Sequence, residues 1–426
     1  MNKTRVLYVG HTLLGDDEAT GQTLNNMFSH CYNVELLQYC LDYTKEYHTT
    51  EVKTIYIDEK KSFPFSLIKK AYRKRLAQNE KVSFQAINNN SHIGHKENPI
   101  RAFLKGFLDI LPKKMSKDNL KIIDTFSPDV IYTLGESISA FNASLKLSKK
   151  YDVPIVWHIM DDNETCIYNY TKATTCFRKK YINLIKKARE RMVYGLAIGT
   201  KMAKEFSLRY NMPFDFAMNC LDELHEQPLP NNDKLKFLFS GGMHGGRAET
   251  LSMMADIING DEALRKNIDF AIYSSPNNVK KYASMFKDKC CLYEYVPKDQ
   301  MFENLGKADI LVHVESFEQS EIDFFRYSMS TKIPECLSVG RPILCYGPKE
   351  ICTVSYIDEK KVGIVADNQE KLIESINLLV ADEKLRDDLS KNALKVAENE
   401  HLSTAVAARI ENVFEKSEKM WRENNA

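Results

Sequence analysis

No window of this 426-residue chain approaches the roughly 20 consecutive apolar residues needed to cross a bilayer. The opening "MNKTRVLYVG" also lacks the apolar run and small-residue cleavage site of a secretory signal, so a cytoplasmic protein is expected. Excess charge of either sign is missing too. Against 59 Lys and Arg stand 58 Asp and Glu, a formal net charge of +1, too little for bulk binding of nucleic acid. No Cys-x-x-Cys pair occurs among the ten cysteines, which are scattered through apolar segments with Cys290 and Cys291 adjacent. Buried thiols in a reducing compartment fit that usage better than a disulfide framework, and no structural metal is expected.

What the chain does have is length and a repeating alternation. A span of 426 residues exceeds what one core organises and points to two domains. "RVLYVG" at 5–10 reads as a buried strand, followed by the polar loop "HTLLGDDEATGQT", a helix from "TLNNMFSH" and a second strand in "NVELLQY". "FSPDVIYTLG", "VPIVWHIMDD" and "GLAIGT" supply further strands with helical pattern between them. Short apolar strands separated by helices predict a mostly parallel sheet covered on both faces.

The polar, proline-bearing stretch "CLDELHEQPLPNNDK" at 220–234 breaks the pattern as an interdomain linker would, and "LKFLFSGG" restarts it. The expected organisation is α/β: a Rossmann-like domain over 1–222, a second over 223–395, and a helical tail over 396–426. The tail carries Val406, Ile410, Val413 and Phe414 at helical spacing. Two doubly wound domains would face a central cleft at the carboxyl ends of their strands, where ligands of open α/β sheets bind.

The most informative stretch is "SMSTKIPECLSVGRPILCY", Ser328 to Tyr346. It reads as loop, helix, turn and strand, with the helix start free to hold a phosphate and Glu335 within reach of a ribose. An ordinary capped surface helix, with Lys332 facing solvent, is the competing reading.

Within this frame the chain resembles a GT-B glycosyltransferase, closest to the retaining family 4 type of bacterial capsule, exopolysaccharide and lipopolysaccharide assembly. "STKIPECLSVGRPIL" is similar to the block that binds the donor nucleotide in that family. By this resemblance the Ser330 and Thr331 amides lie at the diphosphate and Glu335 on the ribose hydroxyls. "VLYVGH" with Gly21, "FSPDVIYTLG", "IVWHIMDD", "AIGTKMAKEFSLRYNMPFDFAMN" ending at Asn219, "FLFSGG" and "YEYVPKDQMFENLGKADILV" agree in order. The resemblance implies sugar transfer from a UDP- or GDP-sugar without a further cofactor, to a saccharide or lipid-linked saccharide, with retention.

Such chemistry adds negative charge to the departing diphosphate and needs donors and cations aimed at it. The candidates are Lys332, Arg326, Arg247 and the amides of Gly241, Gly242, Ser330 and Thr331. Arg247 follows "SGGMHGG", although a solvent-facing arginine at a helix start is the plainer reading, and Arg326 and Lys332 can equally serve loop salt bridges. The family commonly places a sugar-binding glutamate before the ribose glutamate with seven residues intervening, where this chain has Tyr327; Glu315, Glu318 and Glu321 upstream are the substitutes. His158 is placed by the resemblance against the transferred sugar, with a half-buried core histidine as the alternative.

Asp161 and Asp162 suit acceptor contact, loop capping or orientation of His158 better than a metal. Gly21 can let the first loop approach a phosphate, Asp16, Asp17 and Glu18 are acceptor candidates, and His11 and His244 sit near glycine loops. The basic amphipathic segments 63–78 and 98–114 carry Lys69, Lys70, Arg73, Lys74, Arg75, Arg101, Lys105, Lys113 and Lys114. They fit either the inner face of an anionic membrane or ordinary outer helices. A nucleotide-sugar epimerase of the same fold and a catalytically weak nucleotide-sugar-binding partner are the alternatives to a transferase.

Overall fold

A computed structural model of the chain describes residues 3–15, 19–42, 52–58, 62, 64, 67, 99–169, 171–230 and 232–425. Lys69, Lys70, Arg73, Lys74 and Arg75, together with Asp16, Asp17 and Glu18, lie outside the described residues. The chain divides into two compact units, Met1–Ala217 with Ala407–Ala426, and Met218–Val406.

In the first unit the apolar runs form β1 (Thr4–Gly10), β2 (Val34–Cys40), β3 (Thr54–Tyr56), β4 (Val130–Thr133), β5 (Ile155–Ile159), β6 (Gly195–Ala197) and β7 (Phe214–Phe216). Among the described residues they make one parallel sheet in the order β3-β2-β1-β4-β5-β6-β7, with Val6 opposite Leu36 on one side and Val130 on the other. The strands read as continuous rather than alternating apolar runs because both faces are covered: Val6, Leu7 and Val9 are all fully buried. The order reverses between β1 and β4, the position at whose carboxyl ends open α/β sheets bind ligands.

The second unit repeats the scheme with β8 (Leu235–Ser240), β9 (Ile268–Ser274), β10 (Cys291–Glu294), β11 (Ile310–Val314), β12 (Ile343–Tyr346) and β13 (Gly363–Ala366). Here the order is β10-β9-β8-β11-β12-β13, all parallel, and the reversal falls between β8 and β11. Phe237, Phe239, Leu251, Met254, Val312 and Leu344 form the centre of its core.

The chain does not stay in the second unit to its end. The helix Ser403–Asn425 runs back into the first, where Phe414 stacks on Phe28 and meets Tyr132 edge-on, and Trp421 Nε1 donates to the Asp152 carbonyl at 3.0 Å. The polar stretch at 220–234 is held against the second unit rather than left loose. Leu221 bridges to Leu402, the His225 amide donates to the Ser338 carbonyl at 3.1 Å, and the buried Arg341 guanidinium binds the Gln227 and Pro228 carbonyls.

Candidate functional site

In the second unit the sequence-predicted residues gather where β8 and β11 part. Lys332 Nζ donates to the carbonyl of Ser240, the last residue of β8, at 3.1 Å, and lies 3.5 Å from the Tyr295 hydroxyl and 4.8 Å from that ring's centroid. No carboxylate pairs with it among the described residues, so its charge is left for an external anion. Tyr295 is positioned by its own amide, which donates to the Ser274 carbonyl at 2.9 Å.

The backbone donors divide sharply. The Gly241 amide is spent on the Tyr273 carbonyl at 3.0 Å and the Ser330 amide on Thr353 Oγ1 at 3.0 Å. The Gly242 and Thr331 amides have no partner among the described residues, while the Thr331 carbonyl is tied down by Asn219 Nδ2 at 2.9 Å. Of the four expected amide donors, two are therefore available. The helix Ile333–Ser338 has only six residues, so its dipole adds less than a full helix would, and the ammonium of Lys332 is the stronger electrostatic element. Glu335 sits half-buried in the first turn of that helix.

Arg247 opens the helix Arg247–Gly260 behind Gly246, whose φ of 74° and close approach to Ser316 Oγ, 2.3 Å from where a Cβ would stand, admit only glycine. Its guanidinium is engaged already: Nη2 and Nε bind Glu315 Oε2 at 2.8 and 3.0 Å, and His313 Nε2 holds Glu315 Oε1 at 3.0 Å. Burial alone would push the Glu315 carboxyl up; the Arg247 guanidinium and His313 outweigh it and hold it below the usual range. Arg247 and Glu315 thus neutralise each other, and neither is a free contact for a diphosphate or a sugar. Arg326 pairs instead with the exposed Asp323 at 2.9 Å.

Of the three upstream glutamates, Glu321 is the one set against the glycine loop, its Oε2 3.0 Å from a Cβ built on Gly245. Its carboxyl is pushed up by burial and by Glu315 and Glu318, with Arg247 opposing. With Glu249, Glu318, Ser316 and Phe317 it lines a cavity of about 440 Å³. His244 Nε2 lies 3.4 Å from Arg247 Nη1.

In the first unit, His158 is a correction to the expected sugar contact. It is wholly buried, Nδ1 lies 2.7 Å from the Tyr132 hydroxyl and Nε2 3.0 Å from the Ala217 carbonyl, so both ring nitrogens are satisfied inside the protein. Burial pulls its pKa down to about 4, which keeps it neutral and removes it from acid–base work near pH 7. Asp162 is gripped by Arg209 through both oxygens at 3.0 and 3.2 Å, and Asp161 is exposed beside it. Gly21 lies in the helix Ala19–Phe28, where its carbonyl accepts from the Gly15 amide at 3.4 Å and closes the loop after β1.

Sequence reasoning missed a polar cluster at the reversal of this sheet. Asp109, on the helix Pro99–Ile110, accepts from the Ile138 amide at 2.8 Å, the Ser139 hydroxyl at 2.5 Å and the Tyr168 hydroxyl, capping the helix Ile138–Tyr151. Lys113 Nζ donates to Ser139 Oγ at 2.5 Å and to Asp109 at 3.4 Å; His11 Nε2 is 2.9 Å from both Ser137 Oγ and Ser139 Oγ. Burial would raise the Asp109 carboxyl, but Lys113, His11 and the hydroxyl donors bring it below its ordinary value. "GES" at the end of β4 marks the place, legible only once β1 and β4 are known to be the strands at the reversal. The same helix Pro99–Ile110 turns Ile100 and Leu104 outward, 71% and 53% exposed, with Phe103, Phe107, Arg101 and Lys105 around them.

A family model described as "Glycosyl transferase-like" matches residues 261–412. Over 207 residues the chain is 22% identical to a processive diacylglycerol beta-glucosyltransferase of Bacillus licheniformis; the match takes in 46% of this chain and 47% of that protein, so the chain spans about half of its relative's length. Among solved structures, HepE of Anabaena in complex with UDP superposes with a TM-score of 0.58 at 11% identity, covering 97% of this chain and 100% of that one. Sucrose-phosphate synthase from Thermosynechococcus elongatus gives a TM-score of 0.61 at 9% identity, with 97% and 99% covered. The chain has the GT-B fold, with two Rossmann-like α/β domains, as the sequence pattern implied.

Proposed function

We propose that this chain is a glycosyltransferase that moves a sugar from a nucleoside-diphosphate sugar, UDP- or GDP-linked, to a saccharide or lipid-linked saccharide acceptor in bacterial surface polysaccharide synthesis. The observation that carries the reading is the Lys332 ammonium, without a carboxylate partner among the described residues, set at the β8/β11 reversal beside the open Gly242 and Thr331 amides. That is the equipment for an anionic diphosphate. HepE, the Anabaena neighbour of the same fold, holds UDP, which supports a nucleotide in the same role here. The donor block "STKIPECLSVGRPIL" supports Glu335 as the ribose contact, and retention rests on the same resemblance.

Thermal stabilisation across UDP-, GDP-, ADP- and CMP-sugars tests the donor. At about a hundredfold excess over Kd, the right nucleotide stabilises the native state by about 2.7 kcal/mol, a rise of roughly 5–10 °C for a domain of about 200 residues. Glu335→Ala weakens that nucleotide about tenfold, the loss of one charge-assisted hydrogen bond. No shift with any nucleotide overturns the donor site; a shift that Glu335→Ala leaves unchanged removes the ribose contact alone.

A weak nucleotide-sugar-binding partner is the second reading, favoured by Tyr327 and by the Arg247 lock on Glu315. Release of nucleoside diphosphate together with a new glycosidic product excludes it, and excludes an epimerase as well.

For location, we propose that the outward face of the helix Pro99–Ile110 rests on an anionic membrane surface, its apolar side chains entering between headgroups and its basic ones pairing with them. Leu104→Glu should cut co-flotation with phosphatidylglycerol vesicles several-fold. Equal co-flotation of wild type and variant rejects that docking face.

A further inference from the structure

Glu136 is the residue of the first unit that the fold prepares most carefully and uses least. It follows β4 by a loop that neighbouring buried groups hold in place: Trp157 Nε1 donates to the Leu134 carbonyl at 3.0 Å, the Tyr181 hydroxyl to the Gly135 carbonyl at 2.6 Å, and the Gly135 amide to Thr133 Oγ1 at 3.1 Å. Gly135 itself has φ 64°, and a Cβ there would stand 2.6 Å from Trp157 Nε1. Three donor-acceptor contacts and a residue that must be glycine fix the direction in which the next side chain leaves the loop.

That side chain crosses the sheet reversal to β1, where Glu136 Oε1 accepts from the His11 amide at 2.6 Å. Its other oxygen, Oε2, is buried and has no hydrogen-bond partner among the described residues, although the residue as a whole is partly exposed. Burial pushes the carboxyl upward, with the His11 amide opposing. An unmade hydrogen bond on a buried carboxyl oxygen costs about 1–3 kcal/mol or more and is rare in native proteins. Here it stands at the carboxyl ends of the two strands whose order reverses, the position at which open α/β sheets bind ligands.

Resting on the transferase reading above, we propose that Glu136 Oε2 is the anchor for a hydroxyl of the saccharide acceptor. A hydroxyl is the fitting partner because it donates to the carboxylate and accepts from the protonated acid, satisfying Oε2 in either state. The polar cluster of the buried Ser137 and Ser139 with His11, and the Lys113–Asp109 pair behind it, adjoins this point of the reversal.

Two measurements test this. The first is saturation-transfer NMR with p-nitrophenyl β-D-glucoside, β-D-galactoside and N-acetyl-β-D-glucosaminide, each in the presence of UDP. Wild type should transfer saturation to at least one glycoside, and Glu136→Ala should reduce that transfer at least fivefold, about 1 kcal/mol of lost binding, while the UDP signal is unchanged. The second is melting of the ligand-free protein: Glu136→Gln keeps an acceptor for the His11 amide but removes the buried unpaired charge, and should melt about 2–4 °C higher. Equal glycoside transfer in wild type and Glu136→Ala, or none in wild type while UDP binds, overturns the anchor and leaves the transferase reading standing. No nucleotide signal in wild type, with GDP tried in place of UDP as well, overturns the transferase reading, and the anchor with it. A Glu136→Gln protein that melts lower assigns the carboxylate to structure instead.

Discussion

Lys332→Met should lower the turnover of nucleotide sugar about 100- to 1,000-fold while weakening donor binding less than tenfold. The asymmetry follows from where charge appears. On the proposed donor reading the bound diphosphate already carries negative charge, which the Gly242 and Thr331 amides would share with Lys332. As the bond to the sugar breaks, additional charge collects on the leaving oxygens, and an ammonium held in place meets it without reorganising. Removing such a preorganised donor typically costs about 2.7–4 kcal/mol in the transition state. Lys332→Arg should recover little, because a planar guanidinium cannot occupy a position defined by the Ser240 carbonyl and the Tyr295 ring. The check is kcat for nucleoside-diphosphate release alongside the donor Kd from calorimetry. A kcat within threefold of wild type would remove Lys332 from the chemistry.

Arg341→Leu should destabilise the second unit more than any other single change considered. The guanidinium is 2% exposed and bonded only to carbonyls: Ala308 and Gly306 at 2.8 Å, Gly340 at 3.0 Å, Gln227 at 3.2 Å, Val339 at 3.3 Å, and Pro228. It draws the 227–228 segment, the end of the helix Met301–Gly306 and the turn before β12 to one point. Deleting it strands several buried acceptors at once, each costing about 1–3 kcal/mol, and a total of about 4 kcal/mol is a modest expectation. For a unit of this size that lowers Tm by roughly 8–16 °C. Arg341→Lys should restore less than half, since three donors on one nitrogen cannot reach acceptors arranged around a plane. A loss below about 1 kcal/mol in calorimetry would show that those carbonyls find other donors.

Arg341 also shows how far the sequence could be read. "SVGRPIL" is visible as a turn into a strand, and the run "PILCY" as a buried strand, because local pattern alone sets both. The two sheets were legible for the same reason, and so was the neighbourhood of Lys332, where a glycine loop and a Ser/Thr-rich loop each end an apolar run. What each side chain does within that neighbourhood was not legible. Arg247 and Glu315 are 68 residues apart and cancel each other only because Gly246 lets their elements approach. Ser330 and Thr331 look equivalent in sequence, yet Thr353, from a later helix, takes the amide of one and leaves the other. For His158 the resemblance implied a sugar contact, and the alternative of a core histidine is the one its burial fits. Within β5 its ring faces the Tyr132 hydroxyl and the Ala217 carbonyl, partners that only the pairing order of the strands reveals. Glu136 was passed over because strand order, which decides that β1 and β4 meet at the reversal, is not encoded in any one segment.

The return of the terminal helix to the first unit bears on how such a gene can change. Residues 218–406 enter and leave as a cassette, joined to the rest at two points in the chain. Recombination that exchanges residues 218–406 cleanly must therefore cross over twice, near 217 and near 406. A single crossover carries the last helix away with the cassette. It leaves Phe28 and Tyr132 facing whatever stands at the position of Phe414, and the Asp152 carbonyl facing whatever stands at that of Trp421, in the incoming sequence. Any specificity that resides in the second unit and the integrity of the first unit's core are thus inherited together unless both joints move.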